Sequence, residues 1–371
     1  MKLHFSKARV GLFLFICVLL VGSLFFSPQI ESFINKGASI ESGQMEDIDS
    51  DALELHFIYV GQGDSTAIRF PDGKTMLIDA GPGSAKNDLL SYLNDVFFSG
   101  HEKVIDYFVI THTDEDHVGG AKTILDAYNV KNVYRPNVLS KSEETVPGVK
   151  VVTSNVWDNT VTAMSKAQNV ITIEQDLAGP TYSNPQDPSQ DYSFTFYGPI
   201  SANYSDVNDY SPVMMLENNG VKYMFTGDAS ENVEEEFLTE YNAYLNTFDV
   251  DVLKLGHHGS STSSSEEFIS VVKPEWAIVS CGIDNKYGHP TNETITRLTN
   301  ANSQILRTDI SGSILLYQND DQIKYIADFF EPANYYIEWW YIVVGLAFCS
   351  GAVCFLSKTN AKKVIKKLYK K

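Results

Sequence analysis

Apolar positions along the chain come in short runs that alternate with polar ones, and turn residues punctuate them. "LELHFIYVG" from Leu53, "STAIRF" from Ser65 and "KTMLIDAG" from Lys74 carry the alternation and β-branched content of strands, with "PDG" marking the turn between the last two. A helix-like stretch follows Gly83, and "VIDYFVITHT" from Val104 returns to a strand. The rhythm then repeats in "YSFTFYG", "SPVMMLENNGVKYMFTGDA" with its "NNG" hairpin signal, the helical "SENVEEEFLTEYNAYL", and "VDVLKLGHHGS". Two halves with the same order predict an α/β (α+β) fold in which two mixed sheets pack face to face with helices outside, a four-layer αββα sandwich. Residues 137–191 break the rhythm. They are polar, with "NPQDPSQD" near their end, and predict an irregular insertion or lid.

The two ends differ in kind. Val10 to Phe26 and Ile337 to Leu356 are nearly uncharged and about long enough to cross a bilayer, so two transmembrane helices are expected to flank the sandwich. Lys2, Lys7 and Arg9 precede the first run and seven lysines follow the second in "KTNAKKVIKKLYKK", which predicts cytoplasmic termini and an extracytoplasmic middle. Tyr335, Tyr336, Trp339, Trp340 and Tyr341 crowd the outer edge of the second run, where amphipathic rings favour the headgroup layer. A cleaved signal peptide is the other reading of the first run, against which "VGSLFFSPQ" offers a poor small-residue cleavage pattern. The expected organisation is therefore a membrane helix within residues 1–27, a polar linker over 28–52, a globular domain over 53–332, a second membrane helix over 333–357 and a cytoplasmic tail over 358–371.

Charge sharpens this picture. Residues 27–357 hold all 47 acidic residues but only 18 of the Lys and Arg, a net charge of −29, which repels long polyanions unless metals or a local basic patch reverse the field. Of the four cysteines only Cys281 lies in the globular domain, so no disulfide can form within it and packing must hold it together.

The chemistry concentrates in "THTDEDHVGG", Thr111 to Gly120, directly after an apolar strand. A strand end leading into a helix start brings alternate side chains and then the first helical ones to one point. His112 and Asp114 share a strand face, Asp116 and His117 begin the next turn, and together they predict a metal site rather than a solvated loop. His257, His258 and His289 also sit at strand ends beside Gly, Ser or Pro. Asp228 ends an apolar strand, where an unpaired carboxylate would cost several kcal/mol, so a cation is expected beside it; the alternative is an N-cap for the helix after Ala229. Ser263 and Glu266 have capping-box spacing for the next helix. "VGQGDS" is not a phosphate-cradling loop, since no Gly-Lys-Ser/Thr follows, and reads as a glycine turn whose backbone approaches the site closely. No GxSxG elbow occurs.

"HTDEDHVGG" resembles the HxHxDH motif of the metallo-β-lactamase superfamily, in the HxDxDH form found in the hydrolase domain of the DNA-uptake family ComEC/Rec2. "VGQGDS", "LIDAG", "NDYSPVMML", "FTGD", "LKLGHHGS" and "YGHP" occur in that family's order, over about residues 53–318, without the family's multi-span channel. The resemblance implies His112 and Asp114 on one metal, Asp116 and His117 on the other, Asp228 bridging them and Asp79 as a support behind the site. It also implies catalytic roles for Asp116 and for His289, the counterpart of the family's final active-site histidine. The family's usual third histidine on the first metal is missing, and Asn208 and Asp209 lie where it would fall. Of the adjacent pair, His257 is expected as a ligand and His258 as a phosphate contact or acid.

Asp114, Asp116 and Asp228 carry −3 against +4 for two divalent ions, and one hydroxide brings the sum to zero. Such a site suits phosphoester hydrolysis. Replacing an imidazole by a carboxylate hardens it, which moves preference from Zn towards Mn or Mg without excluding Zn, so the expected ions are Zn or Mn, with Mg possible. The expected substrate is a phosphodiester, either DNA or a cell-surface phosphoester such as teichoic-acid phosphorylcholine. A β-lactamase-like activity and a non-catalytic metal-stabilised module are the alternatives. No protein partner is implied.

Overall fold

The computed structural model describes residues 48–320 and 322–327. One sheet comprises β1 (Leu53–Phe57), β2 (Thr66–Arg69), β3 (Thr75–Ile78), β4 (Val104–Val109), β5 (Asn129–Arg135), β8 (Asn169–Thr172), β16 (Ile314–Asn319) and β17 (Gln322–Ala327). The other comprises β9 (Leu177–Ala178), β10 (Tyr192–Phe196), β11 (Met214–Asn218), β12 (Val221–Phe225), β13 (Val252–Lys254), β14 (Trp276–Val279) and β15 (Gln304–Arg307). The eight strands of the first lie in the order β17-β16-β1-β2-β3-β4-β5-β8 and the seven of the second in the order β15-β14-β13-β12-β11-β10-β9. Hairpin-linked strands pair antiparallel, whereas β3-β4-β5-β8 and β12-β13-β14-β15 run parallel.

The alternation visible in the sequence sorts side chains between layers. Leu53, Leu55 and Phe57 of β1, Tyr107 and Val109 of β4, and Tyr223 and Phe225 of β12 meet in the core between the sheets. The intervening Met224 and Leu253 face the other way, into a second core with Phe237, Phe268, Ile269 and Leu298 from the helices Glu231–Glu240, Glu266–Val272 and Asn292–Asn300. Each such large apolar side chain contributes about 1.5–3 kcal/mol when fully buried, so this two-sided packing stabilises the domain without a disulfide. It also fixes where the parallel strands end: β3, β4, β12, β13 and β14 stop at one edge, where the polar residues that follow them gather.

Three expectations change. The two apolar runs proposed as membrane helices, and the lysine tail, lie outside the described residues; among the described residues no helix is long and apolar enough to cross a membrane. Flanking spans therefore fall away from the fold class, which is the mixed α/β sandwich alone. Residues 137–191 are not irregular. They form the parallel pair β6 (Val138–Ser140) and β7 (Lys150–Val152), the helix Asn155–Met164, and the edge strands β8 and β9. Their polarity masked one anchor, Trp157, which is fully buried with the Arg135 guanidinium 4.9 Å from its ring. The helix Glu266–Val272 is capped by Ser265, which accepts from Phe268 N at 3.2 Å, while Ser263 donates to Gly256 O.

Candidate metal centre

The loops after β1, β3, β4, β12 and β13 supply the site. After β3, Asp79 adopts a left-handed backbone (φ 58°) that turns its carboxylate under β4. There it accepts from Thr111 N at 2.9 Å, Thr111 Oγ1 at 2.6 Å and His117 Nδ1 at 2.7 Å. Because Thr111 Oγ1 gives its proton to Asp79, it accepts from His112 Nδ1 at 3.0 Å. After β13, His257 (φ 48°) and His258 (φ 55°) are consecutive left-handed residues, and His258 Nδ1 donates to Ser280 O at 3.0 Å. Each of the three buried imidazoles thus commits its Nδ1 proton outward and presents Nε2 to a common centre, the arrangement by which outer partners prepare histidine for a cation.

At that centre His117 Nε2 lies 3.3 Å from His258 Nε2 and 3.2 Å from Asp228 Oδ1. His258 Nε2 lies 3.4 Å from Asp116 Oδ2, and His112 Nε2 lies 3.7 Å from Asp228 Oδ2. Asp64, His117, Asp228 and His258 form one group of donors and His112, Asp116 and His117 another, with the atoms of each group within 4.8 Å of one another. His112 Nε2 and Asp64 Oδ1 are buried without a hydrogen-bond partner, which polar groups in a folded interior rarely tolerate. Facing Nε2 atoms, unpartnered polar atoms and clustered carboxylates all fit divalent cations.

The imidazoles and carboxylates of the centre are coupled to one another. Burial lowers the His117 imidazole, but the Asp228 and Asp79 carboxylates outweigh it and raise the group well above its ordinary value. His258 is raised, against burial, by Asp228, Asp116 and Asp64. His112, buried and beside His117, falls to about 3. Burial opposes ionisation of Asp228, yet His117, His258 and His112 hold its carboxyl well below the usual range. Asp116 falls to about 2 although burial works against it, through His258 and His117. The centre is thus built to keep its carboxylates charged.

Several sequence expectations are rearranged. Asp114 precedes the helix Glu115–Val118 with an extended backbone, and its side chain opens to the mouth. It is absent from both donor groups, so His112 gathers with Asp116 and His117 rather than with Asp114. Of the adjacent histidines, His258 joins a donor group, while the His257 side chain, the expected ligand, is 27% exposed with Nε2 3.7 Å from Asp228 Oδ2. His289 stands at the mouth with its ring 5.6 Å from that of His257. Asp228 is not a cap, since Ser230 caps the following helix. Asp209 accepts from Ser230 Oγ at 2.5 Å, and neither it nor Asn208 joins a donor group. That segment contributes Ser211 instead, whose Oγ accepts from Asp228 N at 3.0 Å and lies 3.3 Å from His112 Nδ1.

Asp64 and Lys254 were not singled out from the sequence. Asp64 follows Gly63, where a Cβ would come within 2.4 Å of Asp116 O, so the glycine turn does press against the site as expected. Lys254 ends β13 and pairs with Asp64 at 2.7 Å, both buried. A lysine inside the apolar "VDVLKLG" was the available signal, because a buried ammonium demands a carboxylate.

Comparison with known proteins accords with this geometry. Residues 58–283 match the Metallo-beta-lactamase superfamily, and the chain belongs to that superfamily. Among its members the chain resembles the hydrolase domain of the ComEC/Rec2 family. It is 30% identical over 280 residues to ComE operon protein 3 of Bacillus subtilis, covering 70% of this chain and 32% of that protein. It is 30% identical over 295 residues to Recombination protein 2 of Haemophilus influenzae (78% and 31%), and 27% identical over 255 residues to Competence protein ComA of Neisseria gonorrhoeae (68% and 30%). The chain thus spans about a third of the length of these relatives. Superfamily and donor set together support a metal-dependent hydrolase using divalent ions.

Proposed function

We propose that the domain hydrolyses phosphodiesters. The observation that carries this reading is the pair of donor groups joined at His117, which would hold one ion by Asp64, His117, Asp228 and His258 and a second by His112, Asp116 and His117. Two ions so placed, when bound, activate water and neutralise charge on the phosphoryl oxygens. The protein's own groups do the rest. Asp79 keeps His117 in one tautomer, Ser280 O does so for His258, and Ser211 fixes the backbone of Asp228. His257 and His289, whose rings lie 5.6 Å apart, would contact the phosphate or give a proton to the leaving oxygen. Three imidazoles among the donors favour Zn over Mg, and the carboxylates beside them also suit Mn.

DNA and a cell-surface phosphoester are the substrate candidates, and the net charge of −29 over residues 27–357 favours a small or cationic ester over a long polyanion at a distance. The test strips the purified full chain with chelator, restores Zn, Mn or Mg singly, and assays bis(p-nitrophenyl) phosphate, DNA, p-nitrophenylphosphorylcholine and a chromogenic β-lactam. Metal-restored cleavage of at least one phosphodiester is expected. β-Lactam cleavage alone, or no hydrolysis by protein carrying two ions, would refute the reading.

A further inference from the structure

The segment Gly282–His289 borders the mouth of the centre and is hydrogen-bonded there. Gly282 N donates to Gln62 Oε1 at 3.1 Å, and a Cβ at Gly282 would come within 2.7 Å of Gln62 N, so the segment is clamped to the glycine turn that carries Asp64. Asn285 braces it from inside, donating to Gly282 O at 3.0 Å and accepting from His289 N at 3.0 Å. On this support Tyr287 is 56% exposed, its ring stacked on His289 at 5.8 Å and 24°, with Lys286 Nζ 4.8 Å from the ring centroid.

These groups border a pocket of about 380 Å³ lined by Gln62, Asp114, Glu115, Asp116, Lys286 and Tyr287, which adjoins the metal donors through Asp116. Two carboxylates of this pocket are already engaged, Asp116 in a donor group and Glu115 Oε1 by Gly83 N at 2.8 Å, while Asp114 opens to the mouth beside them. Two nitrogen donors are left. Gln62 Nε2 is buried with no hydrogen-bond partner, and Lys286 makes no ion pair among the described residues. A free amide donor, an ammonium and an exposed ring suit an anionic group joined to a planar one. A cationic headgroup would instead meet the Lys286 ammonium already lying over the ring.

We propose that Gln62, Lys286 and Tyr287 form a subsite for the nucleotide flanking the hydrolysed phosphodiester, its phosphate held by Gln62 Nε2 and Lys286 Nζ and its base stacked on Tyr287. The inference rests on the phosphodiesterase reading and narrows it to chains rather than isolated esters. It also sets a local cationic contact against the repulsive long-range field.

The experiment compares the full chain with Lys286→Met, Tyr287→Ala and Gln62→Glu. The last keeps an oxygen for Gly282 N and turns the unmatched donor into an acceptor. Steady-state kinetics use trithymidylate and bis(p-nitrophenyl) phosphate. Binding is read separately, by anisotropy of a fluorescein-labelled phosphorothioate trithymidylate and of a labelled glycerol-phosphate trimer. Each substitution is expected to lower the ratio of kcat/KM for trithymidylate over the small ester about tenfold, through KM, and to weaken trithymidylate binding by a similar factor. Unchanged ratios and binding in all three variants would overturn the subsite, as would a glycerol-phosphate trimer bound as tightly as trithymidylate. Absent hydrolysis with trithymidylate binding that responds to the substitutions would refute the phosphodiesterase reading while upholding the subsite.

Discussion

The buried pair of Lys254 and Asp64 offers a sharp test of how the centre is held. Nζ meets Oδ2 at 2.7 Å and donates to Leu255 O at 2.9 Å, and the two side chains are only 4% and 6% exposed. Lys254→Met leaves Asp64 in the interior with Oδ1 still unpartnered, and breaking a pair this buried costs about 3–5 kcal/mol. At roughly 2–4 °C per kcal/mol for a domain of this size, the melting temperature of chelator-treated protein should fall by about 10 °C. The double variant Asp64→Asn/Lys254→Met removes the stranded charge and should recover most of the loss. The pH dependence follows from the same pair. Burial would raise the Asp64 carboxyl, but Lys254 above all, then His258 and His117, hold it below its ordinary value. A depressed carboxylate contributes its full stability above the unfolded pKa of about 4 and loses it as pH falls through the lower folded value. Without Lys254 the effect of burial on Asp64 gains ground, so the gap between wild type and variant should be widest near neutrality and close as pH falls towards 4. A drop of less than about 2 °C in the single variant, or a double variant no more stable than the single, would refute the argument.

Asp116→Asn and Asp228→Asn should each abolish hydrolysis and lower bound metal by elemental analysis while leaving the far-ultraviolet circular dichroism intact; full activity in both would remove the metal assignment. Asp79→Asn should weaken metal affinity by about 10–100-fold, because His117 loses the acceptor that fixes its ring. His258→Ala should lose metal, whereas His257→Ala should retain it and lose turnover; competitive chelator titration distinguishes them. Glu234 is buried and its carboxyl is raised, although Ser265 N and Ser264 N bond to it. A raised carboxyl contributes stability below its unfolded pKa that is lost as pH rises through the folded value, so melting temperature should fall over that window in wild type and less in Glu234→Gln.

Period and punctuation made the sandwich legible. The alternation of "LELHF" and "VKYMF" names the residues that face the inner core, and "NNG" marks the turn between β11 and β12. What period could not reveal was order within polar sequence. Residues 137–191 reach their strands through a few contacts, Trp157 under Arg135 and the pairing of β5 with β8, whose partners lie elsewhere in the chain. Capping was misplaced for a related reason. Ser263 and Ser265 both stand at plausible spacing, and only the long-range bonds of Gly256 O and Glu234 decide between them.

The centre divides along the same line. Residue type and local spacing were enough to single out His112, Asp116, His117 and Asp228 as side chains that gather, because strand ends and a first helical turn aim them without help from distant sequence. The choice between His257 and His258 is different. Two successive left-handed residues reverse the backbone, so neither strand nor helix period applies there, and the inward ring is selected by Ser280 O at the end of a neighbouring strand. Asp64 and Ser211 follow the same logic, as each is brought in by a close approach of glycine backbone, Gly63 against Asp116 O and Gly227 against Ser211. The candidate donor Asp64 and the orienting groups Ser211 and Ser280 therefore come from remote strand ends, whereas His112, Asp116 and His117 sit in one motif. A motif search finds that local cluster first and the remote groups only after the sheets are assembled.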